Sequence, residues 1–292
     1  MIVDAAINYY GKPYHTMVTI GSLLEHSGPH IGKVFLIKEA EQPPDGDLII
    51  DLLSQHDWNV EVFVPRYYHG WGMYRRKPFA MLRKHFRWSL RYQYALECSD
   101  KPYVFLTHND VLYEGDALGP LIQAAIEGGH AGVGDIGNCW KCPAKATGLC
   151  MDNDPGSLSL TYDEAVALYI EHPSDLRQHD HSRLNRTDPV PFGECRLNEW
   201  FALLDRAAYV RETKPRGSTE PLGSYELGDV GIAWFRSMMH KGYTFRHATG
   251  PYRHVWTADR VGGGHEALLE SSLYEREEAV AEQYYRAHYA SR

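Results

Sequence analysis

The segment Tyr103-Val104-Phe105-Leu106-Thr107-His108-Asn109-Asp110 ends an apolar run on an imidazole, an amide and a carboxylate. An apolar run closed by turn residues reads as a buried strand. Polar side chains delivered at the carboxyl end of such a strand stand in the crevice where open α/β sheets bind ligands. His108 and Asp110 are two apart, so on an extended chain they point one way and Asn109 the other. An imidazole with a carboxylate suits a borderline divalent cation such as manganese. A cation of that kind, bridging two phosphates, neutralises the charge that develops as a nucleoside diphosphate departs. Spacing alone leaves a plainer reading open, in which Asn109-Asp110 is only the turn that stops the strand.

The cysteines form a second group. Cys139-Trp140-Lys141-Cys142 is followed by Cys150 and, well downstream, by Cys195. Four thiolates so spaced could close a tetrahedral structural zinc site and pin an irregular loop. A second Cys-x-x-Cys is missing, so a redox pair at Cys139 and Cys142 and ordinary buried thiols stay open beside zinc. Cys98 is expected in the core.

These residues need a scaffold. At 292 residues the chain can bury a sizeable core, and 43% apolar with 23% charged residues is ordinary for a globular protein. A formal charge of −8 argues against a nucleic-acid binder that works by neutralising phosphates. No stretch is long and apolar enough to span a membrane, and the start Met1-Ile2-Val3-Asp4 reads as a strand rather than a signal, so a cytoplasmic enzyme is expected.

Ile2 to Ile7, Lys33 to Ile37 and Val60 to Val64 read as strands, with helices over Thr16–His26 and Leu48–His56 between them. This alternation predicts an α/β fold built on a mostly parallel sheet of Rossmann type, with helices on its faces. A long basic helix is expected over Phe79–Cys98, then the Tyr103 strand, a helix beginning at Leu118 and a return strand over His130–Ile136. The second half reads as less regular. Helices are expected near Arg196–Arg206 and Asp229–Lys241, flanking an exposed Thr213–Gly223 segment. A strand at Tyr243–Phe245 and a terminal helix over Ala267–Tyr289 follow. That helix either packs back on the domain or forms a homodimer contact. Residues 1–136 and 137–292 read as two halves of what is expected to be one continuous domain.

In the order of its motifs the chain resembles nucleotide-sugar glycosyltransferases of the GT-A fold over most of Met1 to Trp256. His108-Asn109-Asp110 looks like their DXD segment, with His108 where the first acid usually stands and Asp110 where the last stands. The resemblance implies that residues 1–136 are a nucleotide-sugar-binding half and 137–292 an acceptor-binding and catalytic half, with a donor site near Ala6, Asn8 and Tyr9 at the end of the first strand, Glu39 after the second strand and Asn109 in the motif. It also implies a donor-contacting cation among Lys77, Arg83 and Arg87, although a solvated basic face would explain these three equally. Asn198-Glu199-Trp200-Phe201 resembles the acceptor-side segment. Glu226-Leu227-Gly228-Asp229 resembles the acidic motif that carries the base in inverting members. Asp229, with Glu226 in reserve, would then take a proton from an acceptor hydroxyl; an N-terminal helix cap is the competing role. His254 falls where the family supplies a late metal-ligand histidine, with His247 and His265 as rivals.

The implied activity is transfer of a sugar from a UDP- or GDP-type donor to a hydroxyl on a glycan, lipid-linked or small-molecule acceptor, assisted by manganese or magnesium. A sugar-phosphate nucleotidyltransferase would want a glycine-rich phosphate loop, for which Asn8-Tyr9-Tyr10-Gly11-Lys12 offers little. A non-catalytic module of the same fold is the third class.

Overall fold

The computed structural model describes residues 3–67, 81–137, 142–150, 154–158, 160–173, 195–224, 229–258 and 270–290. Three strands build its parallel side: β1 (Val3–Tyr9), β2 (Ile31–Lys38) and the edge strand β3 (Val60–Phe63), with helices α1 (Pro13–Ser27) and α2 (Leu48–Leu53) as crossovers. Strand β1 is buried on both faces, which is why its sequence is a near-continuous apolar run rather than an alternation. Next come two short helices, α3 (Lys84–Arg87) and α4 (Gln93–Cys98), then β4 (Tyr103–Thr107), β5 (Val111–Tyr113), α5 (Leu118–Gly128) and β6 (Gly132–Ile136). The second half adds α6 (Pro143–Ala146), α7 (Tyr162–Glu171), β7 (Leu197–Asp205), α8 (Arg206–Glu212), α9 (Ile232–His240), β8 (Phe245–His247), β9 (Tyr252–His254) and α10 (Ser271–His288).

Seven strands form one sheet in the order β3-β2-β1-β4-β7-β6-β8, and β5 pairs with β9 in a separate ribbon. Only β7 runs against its neighbours, so the sheet is mostly parallel, as the sequence predicts. Strands β6 and β7, on either side of residue 137, are neighbours in that sheet.

The sheet separates two apolar layers. Ile7, Leu36, Phe105 and Phe201 face α1, α5 and α10. Ala6, Phe35, Leu106 and Leu204 face α4, α8 and α9 around Trp234. At Gly134 a methyl group would fall 2.2 Å from the Phe201 carbonyl oxygen, so only glycine lets β6 lie this close to β7.

Four expectations are corrected. Residues 197–205 are strand β7, not a helix. Phe201 and Leu203 enter one layer while Ala202 and Leu204 enter the other, and a run apolar on both sides cannot be told from a helix by periodicity. Among the described residues from 81 on, the long basic helix is two short ones, because Tyr92 takes a left-handed φ of 62° and is fully buried while the Arg91 backbone bridges to Gly223. The segment from Thr213 to Gly223 is not simply exposed: Thr213, Thr219 and Leu222 are buried. Cys98 is exposed at the end of α4, not in the core. Among the described residues no helix is long and apolar enough to cross a membrane.

The terminal helix α10 packs back on α1, with Tyr14 against Tyr285 at 5.9 Å between ring centroids. It also reaches the loop after β1. The Tyr274 hydroxyl accepts from Lys12 N–H at 2.7 Å, and Glu278 accepts from Tyr14 N–H at 3.0 Å. Gly11 has φ 65°, and a methyl there would meet Pro43 at 2.8 Å and the Tyr274 hydroxyl at 2.9 Å. This tight turn leaves Lys12 also left-handed, at φ 58°, and buried.

Candidate metal centre

His108, Asp110 and His254 converge. One ligand atom from each lies within 4.8 Å of the others, the one such group of three among the described residues. Two devices bring them together. Strand β4 carries His108 out of the sheet, and the turn into β5 follows. Strand β9 then pairs Val111 with His254, which sets that imidazole beside Asp110, and Val255 N–H donates to the Asp110 carbonyl at 2.9 Å. Val255 pays for this seat with φ 52°, a conformation that costs a β-branched residue on the order of 1–3 kcal/mol.

His108 Nδ1 is 3.2 Å from His254 Nε2, and His254 Nε2 is 3.3 Å from Asp110 Oδ1. Asp110 is buried, and its Oδ1 accepts no hydrogen bond. Lys12 Nζ stands 3.7 Å from Oδ2 and 3.3 Å from Glu277 of α10. Burial pushes the Asp110 carboxyl up, but His254, Lys12 and His108 outweigh it and hold it well below the usual carboxylate range. A buried carboxylate oxygen without a donor, facing two imidazole nitrogens, is a donor set that fits a divalent cation of the manganese type.

Asn109 points away, as alternation predicts, and its amide donates to the Gly11 carbonyl at 3.0 Å and to Thr16 Oγ1 at 3.2 Å. It therefore ties the loop after β4 to the loop after β1. Asn8 donates to Glu39 Oε1 at 2.8 Å, so the ends of β1 and β2 present one amide–carboxylate pair, and burial raises the Glu39 carboxyl. Ala6 and Tyr9 are core side chains instead: both are fully buried, and the Tyr9 hydroxyl donates to the Gly46 carbonyl at 2.9 Å.

Arg87 is committed to the scaffold. Its guanidinium donates to Glu97 Oε2 at 2.8 Å and to the Met81 carbonyl at 3.1 Å. Arg83 is exposed just before α3. Asp229 does not cap α9, whose N-cap is Gly231. Its carboxylate instead accepts from Arg196 at 2.7 Å. His247, a rival for the metal, pairs with Asp135 at 3.2 Å. Cys142, Cys150 and Cys195 share a small apolar cluster with Ala144, Ala165 and Tyr169 but make no ligand trio among the described residues. Lys77, Cys139, Glu226 and His265 lie outside the described residues.

Sequence reasoning gave Lys12, Glu277 and Arg196 no part in this centre, and Glu199 only an acceptor-side place. Because β7 is antiparallel and pairs Thr107 with Phe201, its first residues lie beside the last residues of β4. Glu199 Oε1 is thus 3.7 Å from His108 Nε2, while its Oε2 is 3.7 Å from Arg196. Burial pushes the Glu199 carboxyl up, but His108 and Arg196 outweigh it and hold it below the usual carboxylate range. Trp200 lies across His254, centroids 4.6 Å apart at 27°. An acid pointing inward at the start of a strand has no local signature, and only the pairing partner reveals it.

No protein-family model matches the chain, and no curated protein matches it in sequence. By fold it is similar to the mannosyltransferase PcManGT from Pyrobaculum calidifontis, solved in complex with GDP-Man and Mn2+, at 11% identity and a TM-score of 0.49. That match covers 96% of this chain and 64% of the mannosyltransferase chain, so this chain spans less than two thirds of it. It is also similar to residues 1–349 of TarS from S. aureus, at 10% identity and a TM-score of 0.45, covering 96% of this chain and 72% of that one.

Proposed function

We propose that this chain is a glycosyltransferase that moves a sugar from a UDP- or GDP-type donor to a hydroxyl-bearing acceptor. The observation that carries the proposal is the meeting of His108, Asp110 and His254 at the carboxyl end of the parallel strands, each supplying a ligand atom within 4.8 Å of the others. These three residues would hold manganese or magnesium, which supplies charge neutralisation for a departing diphosphate.

The chain's own groups do the rest. Lys12 and Asn109 brace Asp110 and its loop against the loop after β1. Asn8 and Glu39 offer an amide and a carboxylate for hydrogen bonds to a base or ribose. Asp229, with 39% of its side-chain surface exposed, would accept the proton of the acceptor hydroxyl, and inversion at the anomeric carbon would follow.

One observation weighs against the nucleotidyltransferase reading. The backbone N–H groups of Tyr14 and His15, at the start of α1 where such a fold would cradle phosphate, are both taken by Glu278.

The test is turnover over a panel of UDP- and GDP-sugars with Mn2+. Donor hydrolysis or transfer is expected from the wild type, and Asp110→Ala should abolish it. Absence of turnover and of nucleoside-diphosphate binding under every metal condition would contradict the proposal, and pyrophosphate release from a nucleoside triphosphate would favour the nucleotidyltransferase.

A further inference from the structure

The two nitrogens of the His108 ring face different partners. Nδ1 looks toward His254 Nε2 at 3.2 Å, and Nε2 toward Glu199 Oε1 at 3.7 Å. Two imidazole nitrogens this close cannot both carry a hydrogen aimed at the other, so a shared cation needs a lone pair from each. A neutral imidazole has one N–H, and its position is set by whichever nitrogen has an acceptor. On the Nε2 side that acceptor is a buried carboxylate; on the Nδ1 side stand another imidazole and Asp110.

Building on the metal-assisted reading above, we propose that Glu199 is a positioning residue: it takes the Nε2–H of His108 and so turns the Nδ1 lone pair toward the position shared with Asp110 and His254. The 3.7 Å separation is in ion-pair range and longer than a hydrogen bond, so the two side chains must draw together for Nε2–H to reach the carboxylate.

Glu199 is built for this task and is not a stray surface acid. It is buried at the start of β7, and its two oxygens are divided, Oε1 toward His108 and Oε2 toward Arg196. Arg196, itself buried, donates to Asp229 at 2.7 Å and to the Leu197 carbonyl at 3.2 Å, which fixes the carboxylate it faces. The arrangement also supplies charge. A cation would take both imidazoles as neutral ligands, which would leave Asp110 the one anionic member of the trio, and Glu199 adds a second negative charge one residue farther out. An imidazole that donates its far N–H to a carboxylate is a stronger metal ligand, and losing such a partner typically costs 10–100-fold in affinity.

The test uses Mn2+ alone, titrated into the full chain and followed by calorimetry or by the electron paramagnetic resonance of free Mn2+. Glu199→Ala should weaken binding roughly 10–100-fold. Glu199→Gln, which keeps an acceptor oxygen, should lose less and guards against an alanine variant that fails to fold. In a His108→Asp background no ring needs orienting, so adding Glu199→Ala should cost little. Long-range 1H–15N spectra of the metal-free protein should give His108 as the Nε2–H tautomer in the wild type and a changed ring signature in Glu199→Ala. Unchanged Mn2+ affinity in a folded Glu199→Ala, an equal loss in both backgrounds, or an Nδ1–H tautomer in the wild type would overturn the proposal. A wild type that binds no Mn2+ would instead contradict the reading under which the trio is a metal site, while the tautomer still reports whether Glu199 orients the ring.

Discussion

Two carboxylate–imidazole clusters hang on the same short stretch, residues 11 to 15, and they are finished differently. In the first, His15 Nδ1 pairs with Glu278 and His15 Nε2 meets Thr257 Oγ1 at 2.8 Å, while Glu278 also accepts from the backbone N–H of Tyr14 and His15. His15 is fully buried, and both of its ring nitrogens have partners. In the second, Asp110 faces two imidazoles and a lysine, yet its Oδ1 accepts no hydrogen bond, and 29% of the His108 side-chain surface is open. Residue types alone do not separate these clusters. Completion does: one satisfies itself and locks α10 to α1, and the other keeps coordination capacity for a ligand.

The contrast breaks most sharply under truncation. Asp110→Ala should lower metal-dependent nucleoside-diphosphate affinity by about 100-fold or more, since it removes the anionic ligand itself and loss of a mere outer-shell partner already costs roughly 10–100-fold; calorimetry with and without Mn2+ checks it. Glu278→Ala should do the reverse. It leaves the buried His15 and two N–H groups without their acceptor, at a cost of about 3 kcal/mol, so thermal melting should fall by several degrees while Mn2+ affinity stays within about twofold of wild type. If Glu278→Ala lost the metal while keeping its stability, the division of labour would be wrong.

A third acid has a purely structural setting and provides a control. Burial pushes the Glu97 carboxyl up, but Arg87, Gln93 and Trp88 outweigh it and hold it below its ordinary value. A lowered carboxyl contributes stability that is present above its unfolded pKa and is lost as pH falls through the folded value. The urea midpoint of Glu97→Gln should therefore lie well below wild type at pH 7, and the gap should close as pH falls below about 4. Metal affinity at pH 7 should not change. The smallest effect is expected from Trp200→Leu, which removes the ring lying over His254. A stacked pair is worth about 0.5–1.5 kcal/mol, so Mn2+ affinity should drop a few-fold.

The parallel side of the sheet was legible because buried strands joined by helices write continuous apolar runs between turn residues, as in β1, β2 and β4. So was the pairing of His108 with Asp110, which needs only alternation along an extended chain. Strand β7 was not legible, because Trp200 to Leu204 is apolar on both faces and satisfies either period. With β7 unread, the position of Glu199 beside His108 could not be inferred, since it follows from the register of Thr107 with Phe201. The tie between Lys12 and Glu277 spans 265 residues and has no local trace. Helix α7 did leave one: Thr161 and Glu164 stand three apart and form a capping box, a spacing readable without any structure.

The most direct measurement is calorimetric titration of UDP and of GDP into the wild-type chain, with Mn2+ and again with a chelator. The account predicts saturable binding of at least one of them in Mn2+, weakened at least tenfold by the chelator and lost in Asp110→Ala. Equal binding with and without metal, or no binding of either nucleotide, would contradict it.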